Sequence, residues 1–451
     1  MRGLPLPRMF LAAVCLVCEF CNAQAAVQTD RGELLRFVIM SRHGVRSPTG
    51  SPETLARWTV SKWPDFKVPP GHLTPRGGEL VQQMGRYYRD HLAAQGLFPP
   101  AGCPAGPQVF LWADVDQRTQ ATGSRIMAGF APGCPITMHK ASESPDPIFH
   151  PVEAGVCRFN ADMARAAVMG RIGGDFAAVE SANRDAMKTL QDVLRCCTPK
   201  LCDKSFGGPG GPCTLPTLPT RLKADPKKVS LEGGLAVAST FAEILLLEYG
   251  NGFRGRDFGF GRADLEKMRR GFAVHTLAFD IVQRTPYIAR RQGAMLLRKL
   301  TGALAAGHLA PPPGAADAPG SEARFVAYIG HDTNLANLAA MLGVSWQQPG
   351  YQMNQTPPGG ALAFELRRGR DGRLRVYSSY VAQSLKQLGD AEPLSLNNPP
   401  QRSALFLPAC SSGDDGYPCL LEDFVKVAGQ AMAPDCLRQE LAGLESNKLL
   451  K

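Results

Sequence analysis

The run Leu34-Leu35-Arg36-Phe37-Val38-Ile39-Met40 is apolar at every position but one. That is too continuous for a strand with one wet face and too short to stand as a helix, so it predicts a strand buried on both sides. The same texture returns at Gln108-Val109-Phe110-Leu111-Trp112-Ala113 and at Phe325-Val326-Ala327-Tyr328-Ile329. After the last of these, Leu335, Leu338, Ala339 and Leu342 recur at helical spacing, which predicts a helix directly following the strand. The segment Leu231 to Leu247 is strongly apolar, but Glu232, Ser239 and Glu243 interrupt it, and it reads as a buried helix rather than a membrane span.

Strand-like runs dominate up to about Cys157, helical patterns fill about Arg158 to Val282, and strand-helix alternation resumes afterwards. The expected architecture is α/β: a central sheet flanked by helices, built from residues 26–157 and 283–451, with a helical domain, 158–282, inserted between them. Gly207 to Pro219 reads as a loop of the insertion, and Ala310 to Gly320 as a surface connection. The chain has no internal repeat.

Each buried run gives way to a polar segment of a particular kind. The first leads into Arg42-His43-Gly44-Val45-Arg46-Ser47-Pro48, the second into Asp114-Val115-Asp116-Gln117-Arg118-Thr119, and the third into Gly330-His331-Asp332-Thr333-Asn334. Ligands of open α/β sheets bind at the carboxyl ends of strands. A histidine between two arginines there offers an attacking ring nitrogen beside guanidinium forks that match phosphate oxygens, and Gly44 lets the backbone approach. Arg118 falls in the first turn of a helix, where the dipole disfavours a cation unless an anion is held nearby. Taken singly, these segments are a basic turn, a surface arginine and an N-cap supplied by Asp332 or Thr333; taken together they point to phosphate chemistry.

Composition fits an enzyme of this kind. The 451 residues are 44% hydrophobic, enough for a large core, and the net charge of +10 (50 basic, 40 acidic) is dispersed in pairs such as Arg269-Arg270, Arg290-Arg291 and Arg367-Arg368. No basic block or basic-aromatic alternation marks a nucleic-acid surface, so no nucleic-acid partner is expected. At the N-terminus, Arg2 and Arg8 precede the apolar stretch Met9 to Val17, and Ala23-Gln24-Ala25 offers small residues for cleavage. Residues 1–25 therefore read as a signal peptide, too short to anchor the chain in a membrane, and the mature protein is expected to be periplasmic or secreted. Of thirteen cysteines, Cys15, Cys18 and Cys21 leave with that segment, and the ten remaining favour disulfides whose connectivity spacing does not fix. No metal ligand set stands beside them, and neither metal nor cofactor is expected.

The strand-end motifs, together with Leu73-Thr74-Pro75-Arg76-Gly77-Gly78-Glu79-Leu80, Gln283-Arg284-Thr285-Pro286 and Thr356-Pro357-Pro358-Gly359-Gly360, resemble the histidine acid phosphatases, in the branch of the bacterial periplasmic phytases and glucose-1-phosphatase. The resemblance runs nearly the whole mature length. The phosphoglycerate mutases share Arg-His-Gly, but the following Arg-x-Pro and the distant His-Asp follow the phosphatase pattern. It implies a phosphomonoesterase acting on small phosphate esters (phytate, sugar phosphates), working as a monomer. His43 would attack phosphorus to give a phosphohistidine, Arg42, Arg46, Arg118 and His331 would hold the phosphoryl oxygens, and Asp332 would protonate the leaving group. It further implies a substrate pocket with Thr49, Glu243, Phe279 and Thr333, and the disulfides Cys103–Cys134, Cys157–Cys436, Cys202–Cys213 and Cys410–Cys419. Cys196 and Cys197 fall outside the pattern. So do Gly50 and Gln292, where phytases of this branch commonly carry a lysine and an arginine. The arginines should press the pKa of His43 down, and bound phosphate should raise that of Asp332, giving an acidic optimum. Two other readings are a glucose-1-phosphatase-type sugar phosphatase and a non-catalytic protein that binds phosphorylated ligands without using Asp332.

Overall fold

In the computed structural model, which describes residues 31–204, 208–310 and 319–436, all three apolar runs are strands. The strands are β1 (Glu33–Arg42), β2 (Val109–Ala113), β3 (Met138–His139), β4 (Arg221–Ala224), β5 (Val229–Glu232), β6 (Phe325–Gly330), β7 (Ala361–Arg368), β8 (Leu374–Ala382), β9 (Gln401–Ala404) and β10 (Cys419–Leu420). β4 and β5 form a separate pair, and the others make one sheet in the order β10-β8-β7-β1-β6-β2-β3, with β9 also on β8. β1, β6, β2 and β3 run parallel, and β7 joins β1 antiparallel.

The continuous apolar runs follow from burial of both faces. Phe37, Ile39, Leu111, Phe325, Ala327 and Ile329 pack with Val81, Met84, Tyr88, Ile126 and Phe130 of the helices Pro75–Ala94 and Gln117–Phe130. The alternate residues Val38, Met40, Val326 and Tyr328 face Leu297, Leu300, Leu335, Leu338 and Phe424 on the opposite side. Arg36, the one polar residue of the first run, is 3% exposed and survives burial by donating to the carbonyls of Ala303, Ala306, Ser321 and Ala323.

Before Cys157 the chain is more helical than its pattern predicts, because Pro75–Ala94 is a twenty-residue helix. Thr74 caps it by accepting the Gly77 N–H at 2.9 Å, and Pro75 occupies its first turn. Gly77, Gly78 and Gly85 weaken the local helical preference, and packing overrides it. At Gly85 a β-carbon would stand 2.1 Å from the Ile126 carbonyl oxygen, so only glycine lets this helix lie so close to its neighbour Gln117–Phe130. Between 158 and 282 the expected helices form, including Gly234–Gly250 and Leu265–Ile281, and the β4–β5 pair is an addition the pattern does not reveal. Of the surface connection 310–320, residues 311–318 lie outside the described residues, as does the export-signal reading of residues 1–25.

All four implied disulfides are present, and Cys196 is bridged to its neighbour Cys197, so the two cysteines outside the pattern pair with each other. Among the described residues no helix is long and apolar enough to cross a membrane.

One buried acid makes stability pH-dependent. Glu248, in the helix Gly234–Gly250, is fully buried; it accepts the Gly259 N–H at 2.8 Å through Oε2, while Oε1 has no hydrogen-bond partner among the described residues. Burial, with Asp257 adding to it, pushes its pKa up to about 8. The folded state therefore holds a proton that the unfolded chain releases near pH 4.5, and stability falls as pH rises between these values. The slope is on the order of 1 kcal/mol per pH unit from this group. Glu248→Gln should flatten the fall, giving a higher Tm than the natural protein at pH 7.5 and little difference at pH 4.5 in scanning calorimetry.

Candidate active site

The sheet register assembles the site. Arg42 pairs with Gly330 across β1 and β6, and Ala113 with Ile329 across β2 and β6, so three strands end level. The His43 N–H then donates to the Gly330 carbonyl at 2.9 Å and that of Asp114 to Ile329 at 3.0 Å, which carries the ladder one residue into the polar segments that follow the strands. His331 is the N-cap of the helix Asp332–Leu342, a place the sequence assigns to Asp332 or Thr333. The His331 N–H donates to Asn334 Oδ1, and Asp332 Oδ1 takes the Thr333 N–H.

His43 is 2% exposed. Its Nδ1 lies 2.8 Å from the Gly44 carbonyl oxygen, so Nδ1 carries the proton and donates it there, leaving Nε2 with its lone pair. Burial, and then Arg42, Arg46, Arg118 and His331, hold the imidazolium far below its ordinary pKa. Gly44 is required at this turn, since a β-carbon would stand 2.9 Å from the Gly77 carbonyl oxygen, Leu73 and Val81.

Around this ring the cations are held by specific partners. Arg42 is fully buried between Glu243 and Asp332, whose Oδ2 is 2.9 Å from Nη2, and its Nη1 donates to the Thr356 carbonyl at 2.6 Å. Arg118 Nη2 is 2.5 Å from Asp116 Oδ2 and 3.4 Å from His331 Nδ1. Arg46 is anchored by Nη1 on the Ser47 carbonyl at 2.9 Å, and burial lowers its pKa to about 10. Among the described residues the Nε atoms of Arg42, Arg46 and Arg118 are buried without a hydrogen-bond partner. Buried donors of this kind call for an acceptor. Asp332 is pulled two ways: burial raises its carboxyl, but Arg42, His275, Arg46 and His331 outweigh this and hold it down at about 2.

His43, Arg42, Arg46, Arg118, His331 and Asp332 are thus brought together as the sequence predicts. Glu243, 4% exposed, has Oε1 on Arg42 and Oε2 3.8 Å from His275 Nε2, so this carboxylate holds the arginine in place. Phe279 packs against His275 with ring centroids 4.4 Å apart, and half-buried Thr333 follows Asp332. Exposed Thr49 borders the site through Gly71, from which a β-carbon would reach Thr49 Cγ2 at 3.5 Å and Arg118 Nη1 at 3.7 Å. Gln292 ends the helix Pro286–Gln292.

Three site residues escape the sequence reading. Asp114, with no exposure, accepts from His331 Nε2 at 2.6 Å and from His150 Nε2 at 2.7 Å. His275, 6% exposed, bonds through Nδ1 to Ser239 and faces Glu243. Asp114 stands in the Asp-x-Asp run beside Arg118, and His275 shares a helix face with Phe272 and Phe279, so both carried a usable signal; His150 carried none.

The sequence profile of the Histidine phosphatase superfamily (branch 2) matches residues 33–207 and 241–381. The chain belongs to that superfamily. It is a histidine acid phosphatase, an enzyme acting on phosphate monoesters. Phytase AppA of Escherichia coli (strain K12) is 38% identical over 412 residues, covering 90% of this chain and 93% of that protein. A glucose-1-phosphatase of Salmonella typhimurium is 29% identical over 425 residues, covering 90% and 95%. The solved phytase of Citrobacter braakii superimposes with a TM-score of 0.81 at 37% identity, covering 90% of this histidine phosphatase and 99% of that chain. The Hafnia alvei phytase in complex with myo-inositol hexakis sulphate gives 0.80 at 34% identity, covering 90% and 98%.

Proposed function

We propose that the protein hydrolyses phytate and other organic phosphate monoesters in an exported compartment, as a monomer, through a phosphohistidine on His43. The observation that carries this reading is the Nε2 lone pair of His43, set free by the Nδ1 bond to Gly44 and ringed by three guanidinium groups with unpartnered Nε atoms. Nε2 attacks phosphorus in line while Arg42, Arg46, Arg118 and His331 take the equatorial oxygens; water then attacks the phosphohistidine and regenerates the ring. Preorganised charge is the main contribution, because the donors already face the place where negative charge builds up.

The proton for the leaving group arrives with the substrate. Free Asp332 is ionised beside Arg42, but a phosphate ester competes for that arginine and adds negative charge next to the carboxylate, which raises its pKa. Below about pH 6 the ester is itself a monoanion that brings a proton. Both effects favour acid. Thr49, Glu243, Phe279 and Thr333 border the space for the rest of the substrate, and the five disulfides accord with export.

The substrate reading rests on the phytase relatives and is qualified by Gly50, where no cation stands to meet the outer phosphates. Incubation with phytate, glucose 1-phosphate or p-nitrophenyl phosphate, with assay of released phosphate, should show phytate hydrolysed with a high KM. At Gly50 a β-carbon meets Leu55 Cδ2 at 3.1 Å, a flexible neighbour, and no positive φ is required there. Gly50→Lys should therefore fold and lower the phytate KM several-fold while leaving p-nitrophenyl phosphate unchanged, because uniform binding alters KM and not kcat. A strong preference for glucose 1-phosphate would move the protein to the sugar-phosphatase reading, and binding without any release would make it a non-catalytic binder.

A further inference from the structure

In the phosphatase reading, the nitrogen with which His331 would meet a phosphate oxygen is Nδ1, which faces Arg118 at 3.4 Å, because its Nε2 is committed to Asp114 at 2.6 Å. With Nε2 donating, a neutral His331 turns a lone pair toward the phosphate site, and only the imidazolium donates there. What stabilises that imidazolium is the charge of Asp114. Asp114 does not give this charge to His331 alone. Its Oδ2 also receives His150 Nε2 at 2.7 Å, and its Oδ1 receives the Val115 N–H at 2.7 Å. The two rings lie 5.4 Å apart, one buried and one half-buried with a route to solvent.

We propose that His150, acting through Asp114, is a positioning residue for His331: by sharing one carboxylate oxygen it sets the pH above which His331 stops presenting a charge to the substrate phosphate. The proposal rests on the phosphatase reading for its meaning, but its geometry is independent of it. When His150 is charged, Asp114 is already neutralised and a second imidazolium beside it is disfavoured; when His150 is neutral or absent, the full carboxylate charge supports His331.

The surroundings agree. Facing His150 are Asp114 at the end of β2, Asp116 at the start of the next helix, Glu153 on its own turn, and His331. Burial opposes its charge, but these acids outweigh burial and raise its pKa. Facing His331 are Asp114, Asp116, Arg118, His150, His43 and Asp332; burial, Arg118 and His150 lower its pKa against the pull of Asp114. In the acid range His150 is therefore the charged member of the pair until an anion enters the site and draws a proton onto His331. His150 thereby confines tight phosphate binding to acid.

The test uses inorganic phosphate as the probe. Its binding to the natural protein and to His150→Gln, which can still donate to Asp114 but does not titrate, is measured by calorimetry from pH 4 to 8, beside the pH profile of kcat/KM on p-nitrophenyl phosphate. Expected is an upward move of the alkaline limb in both profiles by about one pH unit in His150→Gln. His150→Arg, a permanent cation, should weaken phosphate binding about tenfold, equivalent to one pH unit of opposing charge. A limb that stays in place or moves down in His150→Gln overturns the proposal. If the natural protein releases no nitrophenol but the phosphate-binding limb moves as expected, the role of His150 stands and the hydrolase reading fails. Should the variants not fold, histidine ring titrations followed by NMR in the natural protein decide: phosphate must raise the titration of one ring of the pair and lower that of the other, and parallel movement overturns the proposal.

Discussion

Replacing His43 with alanine abolishes the trapping of labelled phosphate on the protein and lowers turnover on the order of 10⁵-fold or more, the scale on which loss of a covalent nucleophile is felt. The reason lies in a single lone pair. The lone pair of His43 is set among three guanidinium groups, whereas the free nitrogen of His331 is turned to Arg118 at 3.4 Å and that of His275, on the helix Leu265–Ile281, lies 3.8 Å from the Glu243 carboxylate. The fold should persist, because the His43 ring makes one hydrogen bond, to the adjacent residue. Acid-quenched protein from a reaction with a labelled monoester, separated and counted, checks this against a thermal melt. Label that survives the substitution would assign the attack to another residue.

Asp332→Asn should separate substrates by their leaving groups. An alkoxide departs poorly without a proton, so release of phosphate from glycerol phosphate or phytate should fall about 10²–10⁴-fold, the usual contribution of a positioned acid. Nitrophenolate departs unaided, and p-nitrophenyl phosphate should lose at most about tenfold, a remainder that reflects weaker positioning of Arg42. Arg42 keeps Glu243 and the Thr356 carbonyl in this variant, so the phosphate cradle stays assembled. Parallel kcat/KM measurements decide it; equal losses on all three esters would make Asp332 a phosphate-binding or structural group.

The strands that carry the site were legible because burial of both faces leaves unbroken apolar runs, and the polar residues after them stood out by contrast. Arg42, His43, Arg118, His331 and Asp332 needed only that and the expectation that strand ends meet. Less was visible where the determinant was another part of the chain. Pro75–Ala94 is a helix despite three glycines because a neighbouring helix presses on it, and that pressure leaves no trace in local propensity. Glu243 reads along its own helix as a polar interruption in an apolar segment, whereas in three dimensions it is the carboxylate that holds Arg42, 201 residues away in sequence. His150 sits in an irregular turn, and only its meeting with Asp114 gives it a role.

The placement of β1 has a consequence for the growing chain. The strand that leads into His43 is the first of the described strands to be made, yet it lies in the middle of the sheet, and its partners come from far downstream: Phe37 pairs with Phe325 on one edge and with Glu365 on the other. Until those distant segments exist, an apolar ribbon with two open edges has nothing of its own to close against, the condition that invites pairing with other molecules. A truncated product ending before β6 leaves both edges of β1 unpaired, and it should behave as an adhesive fragment rather than as a weaker enzyme.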